Sequence, residues 1–309
     1  MQSIGEALAL LSGFSYAVAY VCVAKGSTRA RGDNGALLSV VMTALVAGLV
    51  WAPGVPSRGL PDLADHAVAI GWFALSGILT IVCGRALFYA SIARLGAIRA
   101  AAVNRLNPFF SVALAAPLLG ETITPRGGFG MGLIASGFAI LIRRMLARAR
   151  EGATTDTGGV TGSHPSPASY VYGPASALCY ACGYIARKLG LHDIPDSNLG
   201  TMVGAVTAVA AYLALALFVE RYRSVVQRLF ANTTRWHVLS AVLISIGQLA
   251  QFAAIGYIEI SRVVMLTSTE VVFAIVLSVY VLRTEPRPDA ETIGAALLAT
   301  GGVVLIAAP

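Results

Sequence analysis

The sequence predicts an all-α polytopic membrane protein of ten transmembrane helices, arranged as two inverted five-helix repeats. Three observations carry this expectation. Apolar residues make up 57% of the 309 residues and charged residues only 12%, with a mean hydropathy of +0.75, outside the range of soluble domains. The apolar residues gather into ten runs, near the roughly 20 residues that a helix needs to cross about 30 Å of hydrocarbon. The second half of the chain also repeats the first at a constant spacing.

The runs cover about 4–24, 35–52, 67–90, 97–119, 128–142, 170–188, 198–219, 236–257, 261–282 and 290–307. The first begins at Ile4 with neither a basic leading segment nor a clear small-residue cleavage site, which predicts a retained helix rather than a signal peptide. The sixth holds CYACGYIARKLG (179–190), whose Cys179 and Cys182 have the C-x-x-C spacing of dithiol redox centres and of half a zinc site. Thiols inside an apolar helix stay protonated, and two are too few for structural zinc. Cys22 and Cys83 lie in apolar runs as well, so no disulfide framework is expected. No metal or other cofactor is expected either. The net charge of +7 resides in loops and suits an anionic membrane surface; no basic cluster is dense enough for nucleic acid. The expected partners are a small-molecule substrate and the lipid bilayer, with the chain acting as a monomer or weak homodimer.

A gap-free shift of 164 residues superposes the halves. SYAVAYVCVAKG (15–26) falls on CYACGYIARKLG, pairing Tyr16 with Tyr180, Tyr20 with Tyr184 and Gly26 with Gly190. The same shift pairs Asn34 with Asn198, Trp72 with Trp236, Ser76 with Ser240, Phe88 with Phe252, Glu121 with Glu285, Gly130 with Gly294 and Gly137 with Gly301. Chance likeness between apolar runs would match Leu and Ala instead, so these pairs indicate a duplication. Five helices per half is an odd number, and the second half therefore enters the membrane inverted. The expected organisation is a first repeat over 1–142, a basic then Gly/Ser/Pro-rich linker over 143–169, and a second repeat over 170–309. His164 in the linker reads as a solvated loop residue.

A helix with a central Pro108, a turn carrying LLGETIT (118–124) and a Gly-spaced helix GFGMGLIASGFAIL (128–141) resemble the EamA-type unit of the drug/metabolite transporter superfamily. The second copy, VLRTEPRPDAETIGAALLATGGVVLI (281–306), keeps Glu285, Gly294 and Gly301 but has Val272 where the first has Pro108. The resemblance spans both halves. It implies a multi-pass protein of the plasma (inner) membrane that exports a metabolite or amino-acid-like solute, and it says almost nothing about which one.

Ionisable groups at membrane depth are costly and are default candidates for function. Arg105 near the middle of the fourth run and Glu270 near the middle of the ninth are nearly equivalent under the shift, which predicts similar depth. Beside Arg105, Asn104 and Asn107 lie on or next to a small and polar stripe, and Thr267 lies on one with Glu270. These residues are expected to line a central substrate and proton pathway; the competing reading is that Arg105 and Glu270 neutralise each other as a buried ion pair. Tyr16 and Tyr20 on the first helix, Tyr180 and Tyr184 on the sixth, and Gln248 and Gln251 on the eighth converge on the same pathway, although tyrosines also anchor helices at interfaces. Arg85 is a weaker candidate because it can extend toward its nearer helix end. Glu121 and Glu285 follow helix ends and read as capping groups. The glycines of 128–132 and 297–302 make the fifth and tenth helices packing elements.

The leading expectation is a secondary transporter working by alternating access, with Glu270 as the coupling residue if protons are involved. An intramembrane enzyme would need a nucleophile with a base or a metal cluster, and the four histidines, His66, His164, His192 and His237, fall outside the helix centres. A channel-like facilitator would rely on rings or filter loops. No phosphate-binding glycine loop is present.

Of the 22 Lys and Arg residues, 15 fall in loops on one side of the membrane, five on the other and two, Arg85 and Arg105, within helices. The positive-inside rule then puts both termini outside, whereas the resemblance implies cytoplasmic termini; the strongly basic loop 220–235 favours the charge count. That count predicts that a periplasm-dependent reporter fused to the C-terminus is active and a cytoplasm-dependent one silent, and the reverse pattern refutes it.

Overall fold

The computed structural model describes residues 1–27, 36–54, 65–95, 106–155, 171–227, 229, 233–277 and 290–307. Among them the chain is helical with no strand. The helices are α1 (Gln2–Ser27), α2 (Ala36–Trp51), α3 (Ala67–Gly77), α4 (Arg85–Leu95), α5 (Asn107–Leu119), α6 (Pro125–Thr155), α7 (Tyr172–Asp193), α8 (Ser197–Phe218), α9 (Glu220–Gln227), α10 (Arg235–Tyr257), α11 (Ile260–Thr267), α12 (Glu270–Val276) and α13 (Ala290–Ala307). A wide π-helical segment, Ile78–Gly84, joins α3 to α4 in one continuous rod.

Local chemistry sets many of these boundaries. Asp196 caps α8 by accepting from Asn198 N and Leu199 N, both at 3.0 Å, and its other oxygen accepts from Trp51 Nε1 at 3.0 Å, which ties the end of α2 to the start of α8. Thr234 and His237 form a reciprocal capping box on α10. In the LLGETIT turn, Gly120 takes the left-handed conformation (φ +66°) that closes α5. Thr124 Oγ1 then accepts from Gly127 N at 3.1 Å, with Pro125 as the first residue of α6.

The extensive helix pairings run between the halves. α1 packs along α10, and its symmetry counterpart α7 packs along α3, the π segment and α4; α2 pairs with α8 and α6 with α13. Both central pairs are antiparallel. Gly5 of α1 abuts Tyr257 and Ile258, while Gly247 abuts Tyr16. Gly190 of α7 abuts Phe73, Gly183 abuts Thr80, and Ser176 Oγ donates to Gly84 O at 2.7 Å. The two halves are therefore interleaved in opposite orientation.

Four described segments, 37–54, 67–88, 197–218 and 235–257, are long and apolar enough to cross a membrane, and α5 is a shorter apolar helix. Large apolar side chains such as Leu49, Val68, Leu217, Phe218 and Leu297 stand exposed on the outside, where lipid rather than water suits them. Inside, Phe73 and Phe252 meet edge to face with centroids 5.6 Å apart in the main apolar cluster. A smaller one forms around Leu37, Val40, Ile81 and Tyr212.

Four features differ from the sequence expectation. Residues 143–155, assigned to the linker, continue α6 to Thr155; the Leu, Ala, Met and Arg of that stretch are strong helix formers. The basic loop 220–235 contains α9, whose Arg223 donates to the end carbonyls of α8, Ala216 O at 3.2 Å and Leu217 O at 3.0 Å. The ninth run breaks at Ser268 and Thr269, whose hydroxyls turn back to Val264 O and Leu266 O at 2.7 Å each, competing with the helical ladder. Pro108, expected at a helix centre, lies in the first turn of α5, where its missing N–H costs nothing.

Gly77 and Gly204 make the tightest glycine contact among the described residues. A Cβ on Gly77 would come within 2.2 Å of Gly204 O, whereas one on Gly71 would meet nothing within 4 Å. Gly77→Ala is expected to lower the thermal unfolding midpoint in detergent by several degrees and Gly71→Ala to leave it unchanged or raised; equal effects would show that the crossing is slack.

Candidate functional site

The polar groups of the helix centres converge where α1, α5, α7 and α10 meet. Tyr16 Oη of α1 donates to Gln251 Oε1 at 3.3 Å, and Gln251 Nε2 donates to Tyr184 Oη of α7 at 3.5 Å. Asn107, the first residue of α5, lies beside the Tyr184 hydroxyl and accepts from Ser111 Oγ at 3.2 Å. Gly247, one turn from Gln251, leaves room for the Tyr16 ring, since a Cβ there would lie 2.8 Å from it. A chain of side chains thus crosses the protein interior from the first half to the second.

Two charges flank this chain. Glu270 opens α12 immediately after the Ser268–Thr269 break, where Gly13 lets α1 approach the Thr267 carbonyl. Thr267 is buried and its hydroxyl reaches Ala9 O at 3.4 Å. On the other flank, Arg187 of α7 is 5% exposed. Its Nε donates to Ser76 Oγ at 3.3 Å, and its guanidinium lies 4.3 Å from the Phe252 ring centroid and 5.9 Å from that of Tyr184. Tyr16 and Tyr184 both lie within electrostatic range of Arg187 and of Glu270.

Magnitudes set Arg187 apart. Desolvating a cation costs several kcal/mol, a cation–π contact returns about 2 kcal/mol when dry, and a hydrogen bond to a charged group about 1.5–3 kcal/mol. The partners present barely offset the burial, and no carboxylate pairs with Arg187 among the described residues.

The sequence-predicted residues divide. Tyr16, Tyr184, Gln251 and Asn107 meet directly, with Glu270 and Thr267 beside them. Tyr180 packs against Gly84; Tyr16 and Tyr184, the two tyrosines that meet Gln251, are not equivalents under the repeat. Gln248 is half-buried and makes no side-chain hydrogen bond among the described residues. Arg85 Nη1 donates to Ser39 Oγ of α2 at 3.0 Å, within electrostatic range of Tyr16. Asn104, Arg105 and the Tyr20 side chain lie outside the described residues. Arg187 falls at the end of the sixth run, 170–188, and counts among the five basic residues on the less basic side; α7 runs on to Asp193, which puts Arg187 roughly 9 Å inside its end. Its position three residues beyond Tyr184 on the same helical face was the available signal. Cys179 and Cys182 are free, half-buried thiols of α7, and no three His, Cys, Asp or Glu side chains gather as a metal site among the described residues.

Capping groups close one end of the bundle. Glu121, read as a capping residue, accepts from Ile260 N at 2.6 Å, Ser261 N at 3.1 Å and Ser261 Oγ at 2.6 Å, and so caps α11 of the opposite half. Lys188 Nζ donates to Ile255 O and Ile258 O at the end of α10, at 2.5 and 3.0 Å. Arg262 pairs with Glu6 at 3.2 Å and Glu259 at 3.8 Å.

Inverted, interleaved apolar halves with a polar chain of side chains between them define a multi-pass membrane protein of the transporter class. The sequence profile of the EamA-like transporter family matches residues 3–143 and again 168–308, and the chain belongs to that family, whose members are membrane transporters of the drug/metabolite superfamily. A protein of known crystal structure shares the fold, with a TM-score of 0.64 over 96% of this chain and 95% of its own at 16% identity. No curated protein matches the sequence.

Tyr184→Phe removes the acceptor of Gln251 Nε2 and is expected to cost about 1–3 kcal/mol of stability, seen as a lowered unfolding midpoint. Tyr257→Phe, at the exposed end of α10, is expected to stay within about 0.5 kcal/mol of wild type.

Proposed function

We propose that the chain is a secondary transporter that exports a small amphipathic or zwitterionic metabolite across the plasma (inner) membrane, by alternating access between two five-helix halves that make ten crossings. The convergence of Tyr16, Asn107, Tyr184 and Gln251 from both halves, between Arg187 and Glu270, carries this reading. Hydrogen-bonding side chains held by helices that must move relative to one another are what a transporter needs to grip a polar solute and release it. Proton coupling through Glu270 fits a half-buried carboxylate at a helix break, where backbone groups and hydroxyls supply alternative partners.

Flux in proteoliposomes tests this. Wild type is expected to show saturable transport and counterflow with a pH-gradient dependence. Glu270→Gln should remove the gradient dependence, and Tyr16→Phe should lower flux at least about tenfold, equivalent to roughly 1.4 kcal/mol. Non-saturable flux without counterflow would favour a channel, turnover of the solute would favour an enzyme, and normal gradient-dependent transport by folded Glu270→Gln would remove that residue from the coupling mechanism.

A further inference from the structure

We infer that Arg187 recognises an oxyanion, a carboxylate or phosphate group, carried by the transported solute. This deepens the transporter reading and rests on it. Other cations among the described residues find oxygen partners: Arg262 has Glu6 and Glu259, Lys188 the end carbonyls of α10, and Arg223 those of α8. Arg187 is nine-tenths buried yet meets only the Ser76 hydroxyl through Nε and the faces of Phe252 and Tyr184. Its two Nη nitrogens donate to nothing among the described residues. They form the planar fork that matches an oxyanion with two parallel hydrogen bonds.

The duplication separates this residue from the scaffold. The shift that pairs Ser76 with Ser240 and Phe88 with Phe252 puts Val23 opposite Arg187, so the fold does not require a cation at this position. Arg187 also lies beside the Tyr184 end of the hydrogen-bonded chain. A solute oxyanion on the guanidinium would therefore have the tyrosine hydroxyls next to it and the Glu270 carboxylate beyond them, an order of charges suited to an anion with a cationic or polar tail.

The test uses the purified full-length protein in detergent and reads thermal unfolding against rising benzoate, phenylalanine or inorganic phosphate, with benzylamine and benzyl alcohol as size-matched controls. At least one anionic probe is expected to stabilise wild type saturably while both controls do not, and the strongest of the three identifies a carboxylate, a zwitterion or a phosphate as the group bound. Arg187→Met is expected to unfold at or above the wild-type midpoint and to lose the anion response; Arg187→Lys is expected to keep it at least about tenfold weaker. No response to any anionic probe in wild type overturns the inference, as does an undiminished response in Arg187→Met. An Arg187→Met midpoint well below wild type marks a structural cation and overturns it too, unless Arg187→Lys folds normally with the weakened response. Flux in proteoliposomes separates the two readings: a Arg187-dependent anion response without transport refutes the transporter alone, and transport without that response refutes the anion site alone.

Discussion

Helices in hydrocarbon gain nothing from hiding apolar side chains, because lipid is as apolar as leucine; they associate where their backbones can come close. Here that requirement is met by small residues on helices of opposite halves, Gly5 and Gly13 on α1, Gly183 and Gly190 on α7, and Gly77 against Gly204. Much else depends on this contact. Because α1 lies antiparallel on α10, and α7 on α3, the helix midpoints of the two repeats are brought together, and polar side chains at those midpoints meet one another instead of lipid.

Duplication made a scaffold that is symmetric in its packing and asymmetric in its chemistry. The pairings of α1 with α10 and of α7 with α3 correspond under the repeat, as do many of the glycines, Trp72 with Trp236, and Phe88 with Phe252. The polar cluster follows no such rule: Asn107, Arg187, Gln251 and Glu270 stand opposite Val271, Val23, Leu87 and Leu106. A two-fold symmetric site would suit a two-fold symmetric ligand. Different groups stand on the cluster's two flanks here, an arrangement that has no two-fold symmetry of its own.

The membrane class, the duplication and the inverted arrangement were legible in the sequence because each rests on a long-range regularity: apolar run length, constant spacing, odd helix count. Tyr16, Tyr184, Gln251 and Asn107 were legible as polar residues at membrane depth. What was not legible depended on where a helix ends or breaks. A span ending near 188 puts Arg187 at its edge; a helix ending at Asp193 makes it a buried cation. The break at Ser268 and Thr269 arises from hydroxyls folding back on their own carbonyls, with α1 pressed close at Gly13, and the apolar pattern runs through it uninterrupted. Tyr180 shares a helical face with Tyr184, and its packing against Gly84 follows from a contact between helices rather than from the pattern.

The carboxylate of Glu121 grips the start of α11 across the boundary between the repeats. Three short hydrogen bonds to a charged acceptor, at about 1.5–3 kcal/mol each, make it costly to pull that end of α11 away from the turn after α5. The units that the packing holds together are then not the two copies of the ancestral unit but mixed groups, in which α11 is fastened to the turn after α5 of the other copy.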